Sequence, residues 1–417
     1  MKTSNYQQAI ALISALISTT VWADNDTEKL QQQLDELQKE VDSMKSSKAF
    51  NLEFGGRLQL DYNHFDGAYN AGPNRSGEDA SDFFVRRARL YVESEHSDWD
   101  SKLLLDFADD SGKIVLARLR YNGFGNGLKV QVGKLREDIS LNAITSSKHV
   151  NTVERSSLAD NVSPYFQWGT SVYQYFKDTG LRYAVGVYKN EAFGANGNNN
   201  DDGSLALSLT GRLTWQKDLD NGILHLGGWY SKRDMGGRVL TGALARGEVR
   251  STNTRLLNYA AGGELVRLNS FQQAGLEAAY QNKGFNVEVE YATRELDALN
   301  SSSALDGERF DGYSVLASYF LGGSQRSYSK SNAVFSQPKG VKNDWELVAR
   351  ISDTDATSDF QGTEVLTYTA GANYYYSVNV KFMANVIYSE VEGPGASELV
   401  GDEDDGLGIA ARIQYLF

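Results

Sequence analysis

The chain reads as an all-β protein, a sixteen-stranded antiparallel transmembrane β-barrel preceded by a short N-terminal coiled-coil helix. Three observations lead there. From residue 51 onward, apolar and polar residues alternate with a period of two in segment after segment, as expected of strands with one apolar and one wet face. The connections between those segments alternate between short and long, the pattern of a barrel with tight turns at one end and loops at the other. The last segment, 406–417, alternates along its whole length and stops on Phe417. A barrel needs such a closing strand, because the last strand must pair with the first to leave no open edge.

Taken in order, the chain opens with Lys2, an apolar stretch over 9–17 and the small-residue boundary Val21-Trp22-Ala23. This is the pattern of a secretory signal peptide spanning 1–23; the competing reading is a short buried helix. Within 24–49, Leu30, Leu34, Leu37, Val41 and Met44 recur at a/d spacing. A lone helix of that length is marginal in water, so it is either a trimeric coiled coil or a helix lying on the barrel rim.

The barrel domain is expected over 50–417. In its first strand, 52–62, Leu52, Phe54, Leu58, Leu60 and Tyr62 share one face while Glu53, Arg57, Gln59 and Asp61 share the other. Fifteen more follow: 84–95, 99–106, 114–121, 128–135, 167–176, 181–188, 205–215, 223–230, 272–281, 285–294, 313–321, 345–352, 366–376, 379–388 and 407–417. Residues 259–268 also scan as a strand. Tight turns fall at 97–98, 123–127, 178–180, 218–222 and 282–284. Long connections fall at 64–82, 136–166, 190–203, 232–271, 295–311, 353–365 and 391–405. One segment, 322–342, is long but lies on the short-turn side.

Composition agrees. The 417 residues include 40 glycines and 23 tyrosines, no cysteine, and only 4 prolines, all in connections, where a missing ladder donor costs nothing. A net charge of −13 argues against nucleic acid as partner. No apolar run approaches the roughly 18 residues of a membrane helix. His64, His96, His149 and His225 are dispersed without metal-ligand spacing. The glycine-rich run 123–127 is followed by no helix and reads as a turn. No catalytic constellation, metal site or cofactor motif is present. The acidic tips Asp353, Asp355, Asp359 and 402–405 are either solvated loop charge or holders of divalent cations that bridge lipopolysaccharide.

Arginine placement carries the functional signal. Arg57, Arg87, Arg89, Arg118, Arg120, Arg182, Arg212, Arg294, Arg350 and Arg412 take the interior register of their strands. In a wet pore such groups attract anions and bind phosphate bidentately; the alternative is that they pair with interior carboxylates such as Asp61, Glu93, Glu277 and Glu290. Two irregular segments are locally basic: 232–255, with Arg238, Arg246, Arg250 and Arg255, and 322–342.

The stretches FGGRLQLDY at 54–62, FVRRARL at 84–90, GKLR at 133–136, TSSK at 145–148 and ERS at 154–156 resemble the phosphate-selective porin family of the porin O and porin P type. GLE at 275–277, WE at 345–346, NYY at 373–375 and the closing RIQYLF at 412–417 extend that resemblance. It implies a homotrimeric porin of the Gram-negative outer membrane, embedded in lipid and lipopolysaccharide, with 136–166, 232–271 and 322–342 folded into the lumen. It implies that Arg57, Arg86, Arg87 and Arg155, with Ser146 and Ser147, bind phosphate or polyphosphate. Arg89, Arg118, Arg120, Arg238, Arg246 and Arg250 would line the pore. Two positions depart: Ala143 stands where phosphate-binding members carry a lysine, and Val115 where they carry an aspartate. The expected function is passive uptake of small anions. The alternatives are a general diffusion porin without phosphate selectivity, and a structural barrel that tethers the envelope through peptidoglycan or periplasmic contact of its coiled coil.

Overall fold

A computed structural model describes residue 35 and residues 51–72, 75–108, 111–241 and 244–417. The signal peptide expected over 1–23 and the coiled coil expected over 24–49 lie, Asp35 apart, outside the described residues.

Sixteen strands form one closed antiparallel barrel. In chain order they are β1 (Asn51–Phe65), β2 (Ala80–His96), β3 (Trp99–Asp106), β4 (Lys113–Tyr121), β5 (Lys129–Arg136), β6 (Phe166–Tyr175), β7 (Leu181–Lys189) and β8 (Leu207–Leu219). The second half comprises β9 (Gly222–Val239), β10 (Arg267–Asn282), β11 (Phe285–Ala298), β12 (Arg309–Phe320), β13 (Asp344–Asp355), β14 (Glu364–Tyr375), β15 (Val380–Glu392) and β16 (Asp405–Leu416). The seam closes as the terminal pattern demands. β1 and β16 pair from Arg57↔Leu416 to Phe65↔Gly408, and Phe417 extends the ladder by exchanging backbone bonds of 2.9 and 3.2 Å with Gly56. Every barrel strand is paired with a neighbour on both sides, so the sheet has no open edge strand in the membrane.

The alternation sorts the side chains. Leu207, Leu209, Leu213, Leu226, Leu276, Val386, Ile409 and Ile413 are exposed on the outside, where lipid takes the place of a second sheet. Exposed aromatics gather towards both ends of that band: Trp99, Phe124, Phe176, Tyr280, Phe285, Trp345 and Tyr376 near the short turns, and Tyr62, Phe83, Trp168, Tyr313 and Tyr368 towards the loops. Their amphipathic rings suit the two membrane interfaces. On the inside, Gln59, Asp61, Arg212, Glu277, Arg294 and Arg412 are buried.

Several expected boundaries move. β9, β10 and β11 run past 230, before 272 and past 294, so Lys232, Arg233 and Arg238 are strand residues and not part of an infolded loop. Beyond the lipid band both faces become polar, so hydrophobic alternation fades while the hydrogen-bond ladder continues. Residues 259–266 form no barrel strand, and β10 begins at Arg267; just upstream, Leu257–Asn258 pairs with Leu244–Ala245.

Three segments fill the lumen. The third loop, 137–165, carries two short helices, α1 (Leu141–Ile144) and α2 (Ser157–Val162). The fifth loop, 240–266, packs with the other outer connections in an apolar cluster that includes Tyr69, Met235, Leu240, Leu256, Tyr259 and Phe271. The long segment on the short-turn side, 321–343, turns inward as a small hairpin of Ser327–Ser329 and Val334–Ser336 and buries Phe335 completely. Its unexpected length on that side is thus explained by a place inside the barrel.

Candidate functional site

The third loop is bolted to one half of the wall. Glu137 accepts from Arg233 on β9 at 2.8 and 3.0 Å and from Thr210 on β8 at 2.7 Å. Glu290 on β11 accepts from the Ser140 hydroxyl and the backbone N–H groups of Leu141 and Asn142, which fixes the start of α1. Asn151 donates to Glu346 on β13 at 2.6 Å, Asn385 on β15 accepts from the Val153 N–H at 2.7 Å, and Arg294 on β11 holds Asn161. The fifth loop is fastened through Glu248, which takes Arg350 on β13, Ser352, Thr369 and the Ser157 N–H of α2. The infolded hairpin is tied by Arg326 to Glu288 at 2.6 Å, and by Arg212, which donates to the Ala333 carbonyl while paired with Glu277.

The loop's other edge faces β1–β5, and there several arginines behave differently. Arg57 reaches Ser146 Oγ at 3.4 Å, Arg87 reaches Gln59 Oε1 at 3.0 Å, and Arg136 reaches the Ile144 carbonyl at 2.8 Å. Arg155 reaches the Thr145 and Asn142 carbonyls at 2.6 and 3.0 Å. Among the described residues none of these four is ion-paired to a carboxylate; their partners are neutral oxygens. Arg57 stands within electrostatic reach of Arg89, Arg136 and Arg155. Arg136 lies over the Phe166 ring at 4.7 Å and Arg155 over Tyr165 at 5.3 Å, so aromatic faces help keep the guanidinium groups apart.

A β-bulge makes part of this arrangement possible. Between β1 and β2 the register steps from Gln59↔Arg87 to Leu60↔Val85, leaving Arg86 as the extra residue. Consecutive strand residues normally point to opposite faces; the bulge lets Arg86 and Arg87 both serve the lumen. A second bulge leaves Val115 unpaired between Leu104↔Leu116 and Leu105↔Ile114. Close by, Gly133 has φ of 129° and a side chain there would meet the Ala117 carbonyl at 1.9 Å, so only glycine lets β5 stay against β4 at that point.

The other expected site residues divide by partner. Arg86 is taken bidentately by Glu154, at 2.6 and 2.9 Å. Arg89 pairs with Asp106 at 2.6 Å; Arg118 and Arg120 share Asp100 at 2.5 and 2.6 Å. Ser146 faces Arg57, whereas the Ser147 hydroxyl is buried and only its carbonyl is used, by Gln59 at 3.1 Å. Arg246 lies in the fifth loop near Arg250, Arg255 and Arg86; burial and these like charges push it down to about 10. Arg238 sits at the end of β9, opposite Leu268, apart from that loop group. Ala143 is fully buried in α1, so the expected lysine position offers no cation.

Sequence reading passed over Arg136, Lys148 and Glu154. Arg136 had a signal, since it ends the GKLR stretch at the start of the third loop. Lys148 and His149 follow Ser147 directly. Burial, with Lys148, Lys381, Arg326 and Arg57 around it, pushes the His149 imidazole down to about 2, so it stays neutral among cations. On the short-turn side of this cluster, a cavity of about 360 Å³ is lined by Arg118, Arg120, Arg136, Arg182, Ser146 and His149 among others.

Comparison with known proteins agrees with this geometry. The family model described as phosphate-selective porin O and P matches residues 52–417. Porin O of Pseudomonas aeruginosa is 27% identical over 413 residues, covering 89% of this chain and 90% of that protein. Among solved structures, an anion-selective porin from Comamonas acidovorans superposes with a TM-score of 0.56 at 11% identity, over 88% of this chain and 100% of that one. OmpT of Vibrio cholerae in its trimer form gives 0.51 at 12% identity, over 89% and 100%. The structural likenesses speak for the barrel alone; the match across the barrel sequence assigns the chain to the phosphate-selective porin O and P family.

Proposed function

We propose that the protein is a passive outer-membrane channel for small anions, and that phosphate, or short polyphosphate, is its preferred solute. The observation that carries this reading is the group Arg57, Arg87, Arg136 and Arg155, four guanidinium groups bonded only to neutral oxygens where the third loop approaches β1–β5. An anion that sheds water there gains donors in a fixed geometry. Arg246, Arg250 and Arg255 collect anions at the outer end, and the cavity beside Arg118, Arg120 and Arg182 receives them at the inner end. At the inner end Asp100 and Asp138 partly neutralise Arg118, Arg120 and Arg182, so binding there is weak enough for onward passage.

The supporting features extend to assembly and location. β3, β4 and β5 have only 8, 9 and 8 residues, which makes this the low side of the wall and the face where two further copies would complete a homotrimer. Residues 1–23 would direct export and be removed, and 24–49 would form a trimeric coiled coil on the periplasmic side. The exposed apolar band supports embedding in lipid, with lipopolysaccharide as the proposed partner in the outer leaflet.

A specific observation favours a second reading, a general diffusion porin without phosphate selectivity: Ala143 and Val115 place no polar side chain at two expected site positions. Block of chloride current by phosphate in planar bilayers separates the two. Concentration-dependent block that Arg155→Ala weakens supports the phosphate reading; absence of block in the wild-type channel would leave only the general porin.

A further inference from the structure

Glu154 is placed unlike the carboxylates that fasten the infolded segments. Glu137 and Glu248 each accept from hydroxyl groups as well as from an arginine, and Glu248 also from a backbone N–H. They are anchors with several kinds of donor. Among the described residues the Glu154 carboxylate accepts only from guanidinium groups, Arg86 at 2.6 and 2.9 Å and Arg412 at 2.9 Å. Arg412 does not depend on it: Asp61 takes the same arginine bidentately at 2.6 and 2.6 Å, and the Val153 carbonyl accepts from it at 2.5 Å. Arg86 has no other hydrogen-bond partner among the described residues. The Arg86–Glu154 pair therefore forms a two-point fork between a bulged strand and the third loop, within reach of Arg87 and of the outer arginine Arg246.

We propose that Glu154 is a tethered counter-anion that occupies Arg86 until a permeating oxyanion with two oxygens to offer, such as phosphate, displaces it. This rests on the anion-channel reading above. The fork of a guanidinium is matched by a carboxylate or a phosphate and not by a spherical halide. Chloride thus meets Arg86 already satisfied, whereas a dibasic oxyanion can replace the carboxylate bond for bond. When Glu154 withdraws, Arg412 keeps Asp61 and the Val153 carbonyl. Arg86 then joins Arg87 and Arg155 around the bound anion. Burial opposes ionisation of Glu154, but Arg86, Arg412 and Arg87 outweigh it and hold the carboxyl well below the usual carboxylate range, so the competitor keeps its charge throughout the working pH range. The residue would set both how tightly phosphate is held and how well it is distinguished from chloride.

The test is phosphate block of chloride current in the full-length channel carrying Glu154→Gln, Glu154→Asp, Arg86→Gln and the double change, each checked for a heat-resistant folded band on gels. Glu154→Gln keeps the shape and removes the charge. It should lower the half-blocking phosphate concentration about tenfold, the order expected when one charged donor pair is released, and raise chloride permeability relative to potassium. Glu154→Asp should move the block in the same direction by less. Arg86→Gln should weaken the block, and in that background Glu154→Gln should no longer tighten it tenfold. A folded Glu154→Gln channel whose block is unchanged or weaker overturns the inference, as does an unaltered block in Arg86→Gln. Should phosphate fail to block the wild-type channel, the phosphate reading falls and takes this inference with it. A block that needs Arg57 but ignores Glu154 overturns the inference alone.

Discussion

The two halves of the barrel wall use the same side chain for opposite ends. On β8–β16, four lumen arginines are locked: Arg212 to Glu277, Arg233 to Glu137, Arg350 to Glu248 and Arg412 to Asp61 are pairs in which both partners are almost wholly buried, while Arg294 is held by the neutral oxygens of Asn161 and Gln273. On β1–β5 and the facing edge of the third loop, Arg57, Arg87, Arg136 and Arg155 have no such partner. A guanidinium with a buried carboxylate is a structural rivet; one bonded to carbonyl and amide oxygens keeps net charge for a passing ion. Around β1–β5 the acids take Arg86, Arg89, Arg118 and Arg120 and leave Arg57, Arg87, Arg136 and Arg155 unpaired among the described residues, so the difference lies in where the acids sit.

The contrast predicts a graded series of effects. Removing a rivet should be worst. Arg233→Met leaves the Glu137 carboxylate buried without its ion pair, a defect on the order of 3–5 kcal/mol. The variant should lose its heat-resistant band at a markedly lower temperature, with conductance becoming noisy as the third loop loses a bolt. Arg57→Ala or Arg155→Ala breaks no ion pair, so the band should persist while half-blocking phosphate rises about tenfold or more, as for loss of one or two charge-assisted hydrogen bonds. Equal stability losses in the two classes would erase the distinction.

A pH effect of intermediate size belongs to the third loop. His149 in the folded protein lies at about 2, below the roughly 6.5 of an unfolded chain. The unfolded state thus binds the extra proton first. The contribution is fully present above about 6.5 and declines as pH falls towards 2, by at most about 1.4 kcal/mol per pH unit. Melting of the folded band at pH 7 and pH 4 should show this loss, and His149→Gln should reduce the difference between the two. The smallest effect is expected at Arg309, whose bond to Glu295 is exposed at the rim. Arg309→Ala should leave both stability and block unchanged, because solvent screens such pairs.

Much of this architecture was legible because a membrane imposes a strict pattern. Lipid requires every outward residue to be apolar, so alternation along β1 or β16 could be read residue by residue. The odd length of 322–342 was visible too, though the buried Phe335 and the Arg326–Glu288 pair that explain it depend on residues distant in sequence. Boundaries at the loop end failed where both strand faces turned polar, as in β9. The site was half legible. Arg57, Arg87 and Arg155 could be recognised, but whether an arginine is free depends on which acid reaches it across the lumen, and nothing local announces that Glu154 will take Arg86. The bulge that turns both Arg86 and Arg87 inward is likewise a property of the β1–β2 pairing.

On the proposed reading, unpaired arginines on the β1–β5 side make the channel select anions despite the chain's net charge of −13. The most direct measurement is the reversal potential of the wild-type channel across a potassium chloride gradient. The expected potential is set by chloride and moves towards zero in an Arg57→Ala, Arg155→Ala double variant. A potential set by potassium, or one that the double variant leaves untouched, would contradict that reading.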